Sequence, residues 1–317
     1  MDTQDGIKAI LICGPTASGK SALALALARE LGGAVVNADS MQVYAELRVI
    51  ANRPTPEEEA AAPHRLYGFR PAREPYSAAL WLADVKQVLA EAAAQSWLPV
   101  IVGGTGLYFK ALTEGLSDIP EIPADIRERY RDAARDRPAE ALHAELARSD
   151  PATAARLRPS DTQRIVRALE VLEATGRPLA WWQGNKQPPL LPLTQVYPAA
   201  LTLEREELYR RCDARFDAML AGGALDEARA IAALGLDASL PAMRAVGLPP
   251  LLAHLRGELT LEEAAAAAKT ATRNYAKRQL TWIRGNFFSW NCIDAQHMER
   301  TKGDIFRFLQ NRLTKPR

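Results

Sequence analysis

The feature that most restricts how this chain can fold is a glycine-rich segment between an apolar run and a helical pattern. Residues 7–13 are mostly apolar, residues 21–31 carry leucine and alanine at helical spacing, and the segment between them matches GxxxxGK[ST] in full. This order predicts a strand, a tight turn and a helix. Glycines let successive backbone N–H groups face an anion, and the helix N-terminus adds partial positive charge. We therefore predict a phosphate-binding loop formed by Gly14, Pro15, Thr16, Ala17, Ser18, Gly19, Lys20 and Ser21.

Two side chains of this loop have the chemistry that a polyphosphate needs. Lys20 supplies a full positive charge, and the Ser21 hydroxyl suits Mg²⁺. The motif specifies a diphosphate or polyphosphate, but neither a nucleotide nor its hydrolysis. The alternative is a chance glycine-rich turn. A guanine-binding protein is not indicated, because residues 185–188 read Asn-Lys-Gln-Pro and lack the aspartate of the Asn-Lys-x-Asp motif.

Short apolar runs alternate with helical patterns through much of the chain. Such runs occupy residues 34–37, 99–102 and 195–203, with an amphipathic helix at 77–94 and further helices at 206–220, 225–234 and 261–283. Thr260 and Glu263 form a capping box at the start of the last helix. Strands that alternate with helices favour a parallel sheet covered on both faces. The predicted fold class is α/β, with a P-loop NTPase-like parallel sheet flanked by helices and an inserted all-helical subdomain.

The inserted subdomain is predicted from a change in composition. Residues 118–193 contain 12 acidic and 12 basic residues at helical spacing and no convincing strand. The segment ends in a proline cluster at positions 188, 189 and 192, and an apolar run then follows. We therefore expect residues 1–117 and 194–317 to form the catalytic core and residues 118–193 to form a helical insertion domain.

Composition limits the class of protein. Of the 317 residues, 48% are hydrophobic and 25% are charged, and 40 basic residues against 38 acidic ones leave a net charge of +2. An anionic partner must therefore be bound by local positive patches. Three cysteines without CxxC spacing argue against disulfides and a cysteine zinc site, and no run of 18 uncharged apolar residues occurs. We expect a soluble cytoplasmic protein with no membrane partner.

Two further candidates follow predicted strands. Asp39 follows the strand at 34–37, and Thr105 follows the strand at 99–102 within Gly103-Gly104-Thr105-Gly106. Because the carboxyl ends of parallel strands share one edge of a sheet, both should face the phosphate loop. Asp39 is a candidate general base, and Thr105 could orient an acceptor group beside it. The alternatives are a turn or helix-capping aspartate for Asp39 and a flexible turn with an N-cap for Thr105.

Six segments in this order resemble the bacterial tRNA dimethylallyltransferase family. They lie at residues 14–21, 39–44, 103–108, 123–127, 161–170 and 273–284. The resemblance implies transfer of a dimethylallyl group from dimethylallyl diphosphate to the exocyclic amine of an adenosine. That adenosine lies just 3′ of the anticodon in tRNAs that read codons starting with U, and the product is an isopentenyladenosine. The implied partners are the tRNA anticodon stem-loop and the prenyl diphosphate, with Mg²⁺ as cofactor, and we expect a monomer.

The resemblance also implies roles for individual residues. The phosphate loop would hold the diphosphate with Mg²⁺ at Ser21, and Asp39 would accept the amine proton. Thr105 and Arg127 match positions at the reaction centre, with the arginine facing the diphosphate, although alone Arg127 would be taken for a solvated helix residue. The segments that match tRNA-contacting stretches comprise Asp39, Ser40, Met41, Gln42, Gln163, Arg164, Ile165, Val166, Arg167 and the neighbourhood of Arg244. One departure is Ile50-Ala51-Asn52-Arg53-Pro54, where the family commonly has Gly-Thr-Ala-Lys-Pro.

A basic face on the last long helix is a further candidate for RNA contact. Lys269, Arg273 and Lys277 are spaced four residues apart, and no acidic residue occurs between positions 264 and 293. We predict a cationic stripe that Arg284 extends, with Tyr275 and Trp282 packed inward. The tRNA-binding candidates on this helix are Arg273, Lys277 and Arg278. The alternative is an ordinary solvated face.

Three functions remain open on these residues. The first is the prenyl transfer just described. The second is a P-loop kinase of a small metabolite, which the phosphate loop and the acid after the second strand would also serve. The third is a non-catalytic RNA-binding protein that the phosphate loop only regulates.

Overall fold

The computed structural model describes residues 6–297, 302–303 and 305–307. Within that part of the chain, six strands form one sheet in the order β3-β2-β4-β1-β5-β6, and every neighbouring pair is parallel. The strands are β1 (Ala9–Cys13), β2 (Ala34–Asn37), β3 (His64–Arg65), β4 (Pro99–Gly103), β5 (Val196–Thr202) and β6 (Asn291–Asp294). The predicted parallel α/β class is confirmed. The two outermost strands, β3 and β6, were not predicted, because β3 has two residues and β6 has no continuous apolar run.

Helices cover both faces of the sheet. They are α1 (Lys20–Leu31), α2 (Pro56–Ala61), α3 (Ala78–Gln95), α4 (Gly106–Glu114), α10 (Arg205–Ala221), α11 (Ala224–Ala233), α12 (Leu248–Leu255) and α13 (Leu261–Asn286), with α5–α9 described below. Alternate residues of β1 pack into different cores: Leu11 contributes to one buried cluster, and Ile10 and Ile12 contribute to the other. A strand that is buried on both faces reads as a continuous apolar run, which explains the sequence of β1.

Local capping signals set the starts of two long helices. Thr260 and Glu263 form the predicted capping box at the start of α13, and the Ser77 side chain accepts the N–H of Leu80 at the start of α3. The α13 helix ends at Asn286, three residues beyond the predicted end. The predicted starts of both helices are confirmed. They could be predicted from local sequence because a capping side chain binds N–H groups within its own turn.

The chain divides into two compact units. One contains the described residues up to Thr113 and those from Leu190 onwards, and the other is Glu114–Pro189. The second unit contains α5 (Ala124–Asp136), α6 (Ala139–Ser149), α7 (Pro151–Ala154), α8 (Thr162–Thr175) and α9 (Leu179–Gly184). Leu142, Leu146 and Ile165 are fully buried in its core. This unit overlaps the expected insert, 118–193, and its limits lie four residues earlier at each end.

No helix among the described residues is both long enough and apolar enough to cross a membrane.

Candidate active site at the carboxyl edge of the sheet

Three loops meet at one edge of the sheet because their strands are parallel neighbours. β4 lies between β1 and β2, and the chain continues from these strands into the loops at residues 14–19, 104–105 and 38–39. The carboxyl ends of parallel strands form the crevice in which such folds bind ligands. The sheet therefore brings the phosphate loop, Thr105 and Asp39 to the same edge, as the sequence analysis predicted.

The phosphate loop has a tightly wound backbone. Ala17 and Gly19 both have positive φ values, 63° and 84°, and α1 begins directly after Gly19. A Cβ atom at Gly14 would lie 2.9 Å from the Ser18 Oγ, so the turn leaves no space for a side chain there. Ser18 is fully buried, and its hydroxyl has no hydrogen-bond partner among the described residues. A buried polar group without a partner is costly, and an anion in the loop would satisfy this one.

The Lys20 ammonium contacts the phosphate loop, and its pKa responds to the charge of Asp39. Its Nζ donates to the Pro15 carbonyl oxygen at 3.2 Å. Burial, assisted by the charge of Arg215, lowers the pKa of Lys20 to about 8, and Asp39 is the strongest opposing influence. Burial removes the hydration that stabilises the charged form of this lysine. A bound diphosphate would restore that stabilisation, because its negative charge favours the ammonium form.

Arg215 is a second cation at the loop, and the sequence analysis missed it. Its guanidinium donates to the Thr16 hydroxyl from α10, 199 positions away in sequence. Burial lowers the pKa of Arg215, and Cys212 and Asp39 oppose that shift. Nothing local distinguishes this arginine, because α10 carries three others, at positions 205, 210 and 211. Only the packing of α10 brings this arginine to the phosphate loop.

Asp39 is held in a local turn that orients its carboxylate. Its backbone N–H donates to the Asn37 Oδ1 at 2.8 Å, and its Oδ1 accepts the N–H of Met41 at 3.0 Å. Asn37 is fully buried, and its carbonyl oxygen accepts the indole N–H of Trp81 at 2.8 Å. Asp39 therefore does stabilise a turn, which was the alternative to a general base in the sequence analysis. The turn fixes one carboxylate oxygen, and the residue is half-buried.

Thr105 contacts the residue after Asp39 directly. Its Oγ1 accepts the backbone N–H of Ser40 at 3.0 Å, and its own N–H donates to the Ala38 carbonyl oxygen at 3.2 Å. This approach requires glycine at position 103, where a Cβ atom would lie 2.0 Å from the same carbonyl oxygen. Thr105 is therefore positioned beside Asp39, as the sequence analysis predicted from the two strand ends.

The charge of Asp39 influences three tyrosines. Burial first, and the Asp39 charge second, raise the pKa of Tyr67, Tyr108 and Tyr275 above the usual range. Tyr108 stacks on Trp81, with 4.6 Å between ring centroids. Neutral phenols offer hydrogen bonds and flat apolar faces without competing for protons. Tyr275 was predicted from the sequence to pack inward, whereas nothing in the sequence pattern marked Tyr67 or Tyr108 as part of the site.

The loop after Asp39 is fixed from two sides. The Gln42 amide donates to the carbonyl oxygens of Ala51 and Asn52 at 3.0 and 2.8 Å. On the other side, the Glu227 carboxylate accepts the consecutive backbone N–H groups of residues 48–50 at 2.7–2.9 Å. Its candidate RNA contacts, Ser40, Met41 and Gln42, therefore lie on a well-anchored segment, and their role stays a prediction.

The segment that departs from the family pattern has a structural function here. Asn52 has a φ of 53°, and the Arg53 guanidinium donates to the Ala45 carbonyl oxygen at 3.1 Å. A Cβ atom at Gly68 would lie 2.0 Å from the Arg53 guanidinium carbon. The retained cation of this segment therefore packs against the loop backbone.

The predicted cationic stripe on α13 is partly neutralised. Lys269 pairs with Asp217 at 2.6 Å, and Arg273 pairs with Asp213 at 2.7 Å. Both carboxylates belong to α10, which packs along α13, so a search for acids within α13 itself missed them. Two members of the predicted cationic stripe are therefore paired with acids, while tRNA contact by Arg273 stays a prediction.

Lys277 and Arg278 are the exposed basic residues in the middle of α13. Together with Asn274, Thr281 and Trp282 they line an open depression of about 410 Å³. Trp282 lies directly against Gly106, where a Cβ atom would be 2.1 Å from the indole ring. This depression therefore adjoins the loop that carries Thr105.

Two further candidates lie on a short 3₁₀ helix and in the helical unit. Arg244 is exposed at the end of a short 3₁₀ helix, Pro241–Arg244. Arg127 lies in α5 of the helical unit, where its guanidinium donates to the Ile122 carbonyl oxygen at 3.3 Å. Its place at the reaction centre stays a prediction.

One residue of α8 requires correction. Ile165 is fully buried in the core of the helical unit, so its side chain is removed from the candidate RNA contacts. Val166 packs partly against the same core, and Gln163 and Arg164 are exposed. Arg164 and Arg167 form ion pairs with acids on their own helix turn, at 3.3 and 3.6 Å. The Arg164 pair is exposed and therefore weak, so a phosphate could replace its acid, whereas Glu170 in the Arg167 pair is buried.

Taken together, a phosphate loop with two cations, opposite a carboxylate on the same edge of a parallel sheet, defines a P-loop-like group-transfer enzyme. The comparisons agree. The chain matches the family model described as IPP transferase over residues 42–286 and the one described as isopentenyl transferase over residues 7–70. The chain therefore belongs to the IPP transferase family, and the kinase alternative is not favoured.

Named relatives and solved structures lead to the same family. The chain is 58% identical to a tRNA dimethylallyltransferase of Nitrobacter hamburgensis, over 89% of this chain and 90% of that protein. It is 54% identical to the enzyme of the same name from Parvibaculum lavamentivorans, over 96% of both. Its structure resembles the tRNA isopentenylpyrophosphate transferase of Bacillus halodurans, with a TM-score of 0.68, 32% identity and coverage of 96% and 97%. A eukaryotic dimethylallyltransferase acting on tRNA gives a TM-score of 0.82 at 26% identity, over 96% of this chain and 80% of that one.

Proposed function

We propose that this chain transfers a dimethylallyl group from dimethylallyl diphosphate to a tRNA adenosine. The acceptor is the exocyclic amine of the adenosine just 3′ of the anticodon, in the anticodon stem-loop of tRNAs that read codons starting with U. The observation that carries this proposal is the placement of the phosphate loop, Asp39 and Thr105 at one edge of the parallel sheet, where the Thr105 hydroxyl holds the residue after Asp39. The relatives named tRNA dimethylallyltransferase support it.

The loop and its two cations serve the leaving diphosphate. The allylic carbon–oxygen bond breaks as negative charge accumulates on the diphosphate oxygens. Backbone N–H groups of the loop, Lys20 and Arg215 stabilise that charge, and they do so in a buried setting where each interaction is stronger than in water. Arg127 of the helical unit is kept as a proposed further cation for the same charge.

Mg²⁺ is part of this proposal. The Ser21 hydroxyl is exposed in the first turn of α1, and the described residues contain no cluster of three or more His, Cys, Asp or Glu side chains that could hold a metal ion. Mg²⁺ commonly binds through few protein ligands together with substrate phosphates and water, so this donor set fits an ion that is bound with the diphosphate. Ser21 would hold the ion, which would neutralise charge on the diphosphate.

The acceptor side needs a base only late in the reaction. The adenine amine is a weak nucleophile, and its proton becomes acidic as the new carbon–nitrogen bond forms. The Asp39 carboxylate then accepts that proton. The carbon–nitrogen bond thus replaces the carbon–oxygen bond, and the diphosphate leaves as an anion. Thr105 fixes the segment after Asp39 and can orient the amine.

The base must leave its stack to reach Asp39. Extruding a base costs a few kcal/mol and costs less in a loop than in a duplex. The partly exposed rings of Tyr67 and Tyr275 offer faces on which an extruded base can pack, whereas Tyr108 is buried against Trp81. Lys277 and Arg278 on α13 provide charge for the RNA backbone next to this position.

The remaining elements of the proposal concern the setting. Because the phosphate loop, Asp39 and Thr105 all come from one unit of one chain, we propose that the enzyme acts as a monomer. We also propose that it works in the cytoplasm, where its tRNA substrate would be met.

The test is mass spectrometry of nucleosides from unmodified tRNA incubated with the protein, dimethylallyl diphosphate and Mg²⁺. The expected result is a prenylated adenosine, which is lost in Asp39→Ala while tRNA binding is kept. Asp226→Ala, at an exposed carboxylate of α11, is the matched control and should behave as wild type. Binding of tRNA without any mass gain would favour a non-catalytic RNA-binding protein, and ATP consumption without tRNA would favour a kinase.

A further inference from the structure

Gln279 connects the two loops that face each other in the site. It lies in α13, is 6% exposed, and uses both ends of its amide. Its Oε1 accepts the backbone N–H of Thr16 in the phosphate loop at 2.8 Å, and its Nε2 donates to the Gly104 carbonyl oxygen at 2.9 Å. Because one partner is a donor and the other an acceptor, the orientation of the amide is determined.

The amide also lies next to the catalytic carboxylate. A Cβ atom at Gly104 would be 2.1 Å from the Gln279 Nε2 and 3.4 Å from the Asp39 Oδ2. Gln279 is therefore in contact with the leaving-group loop, the Thr105 loop and the surroundings of Asp39.

We infer that Gln279 is a positioning residue that sets the separation between the diphosphate loop and the acceptor loop. The inference rests on the proposed prenyl transfer. Group transfer depends on holding two reactants within a fraction of an ångström of their productive distance. The amide fixes Thr16 to Gly104, and Gly104 is adjacent to Thr105, so one side chain controls both reactants without touching the reacting atoms.

Glutamine is the side chain that this place requires. An ionised glutamate has no donor for the Gly104 carbonyl oxygen, and leucine has neither donor nor acceptor. A protonated glutamate, however, has one of each: its C=O accepts the Thr16 N–H and its O–H donates to the Gly104 carbonyl. Substitution by glutamate therefore creates a version of the bridge that works only when the carboxyl group is protonated.

The experiment compares Gln279→Leu and Gln279→Glu in nucleoside prenylation assays with both substrates varied. In Gln279→Leu, kcat should fall about 10- to 100-fold, with tRNA affinity and KM for dimethylallyl diphosphate within about threefold of wild type. In Gln279→Glu, kcat relative to wild type should recover at least severalfold as the pH is lowered from 8 to 5.5. The same substitutions at Gln95, an exposed residue at the end of α3, are the controls and should leave kcat unchanged.

A merely structural role would give a different result. The inference is overturned if Gln279→Leu keeps the wild-type kcat. It is also overturned if the kcat of Gln279→Glu relative to wild type is independent of pH while both variants melt at a lower temperature. Failure of the wild-type enzyme to prenylate would instead refute the proposed function. Hydrogen exchange of the Thr16 amide then tests the Gln279 bridge independently of catalysis. Faster exchange in Gln279→Leu supports the bridge, and unchanged exchange refutes it.

Discussion

We expect diphosphate binding to depend on pH between about 7 and 9, because the pKa of Lys20 is lowered. Burial lowers the pKa of this ammonium group from 10.5 to about 8. For a pKa of about 8, the charged fraction falls from about 90% at pH 7 to about 10% at pH 9. If only the ammonium form binds the diphosphate, affinity should fall by up to about tenfold, or about 1.4 kcal/mol, over this range.

Two neighbours should move this transition in opposite directions. Arg215 lowers the pKa of Lys20 and Asp39 raises it. Arg215→Met should therefore shift the loss of affinity to higher pH, even as it weakens binding overall, and Asp39→Asn should shift it to lower pH. Both variants remove one charged group near Lys20. A general disturbance of the site would therefore not shift the pH transition in opposite directions in the two variants.

The assay is isothermal titration of dimethylallyl diphosphate into the protein with Mg²⁺ and without tRNA, at constant ionic strength from pH 7 to 9.5. Lys20→Met is the control, because any pH dependence that persists in it comes from the ligand or from other groups. The reasoning is refuted if the wild-type affinity is constant over this range after that correction, or if both neighbour variants move the transition in the same direction.

Three further expectations concern the loops around the site. Glu227→Gln removes the charge that accepts three N–H groups of residues 48–50, so urea denaturation should show a loss of about 1–3 kcal/mol in the free energy of unfolding; a change below about 0.5 kcal/mol would contradict this role. Gly103→Ala places a methyl group 2.0 Å from a main-chain carbonyl oxygen and should lower the melting temperature, whereas Gly184→Ala, with nothing within 4 Å, should not. Thr105→Val should lower kcat about 10- to 100-fold because a backbone N–H loses its acceptor, and Thr105→Ser should retain most of the activity; equal rates in the two variants would exclude the hydroxyl.

The sequence by itself determined the elements whose physical cause is local. The apolar run of β1, the turn with positive φ at Gly19 and the start of α1 lie within a few residues of one another, as do the cap residues Thr260 and Glu263 of α13. Each such signal is satisfied by backbone groups in its own neighbourhood. The proximity of Asp39 to the phosphate loop also followed from sequence, because parallel strands fix which ends share an edge.

The tertiary structure alone decided which side chains complete the site. Arg215 and Gln279 reach Thr16 from positions 199 and 263 residues away, and Asp213 and Asp217 of α10 neutralise part of the basic face of α13. No local pattern marks these residues, because an arginine, a glutamine or an aspartate on an amphipathic helix has the same spacing whether it faces water or a ligand. Their roles depend on how distant helices pack on the sheet, and packing is a property of the whole folded chain rather than of any short segment.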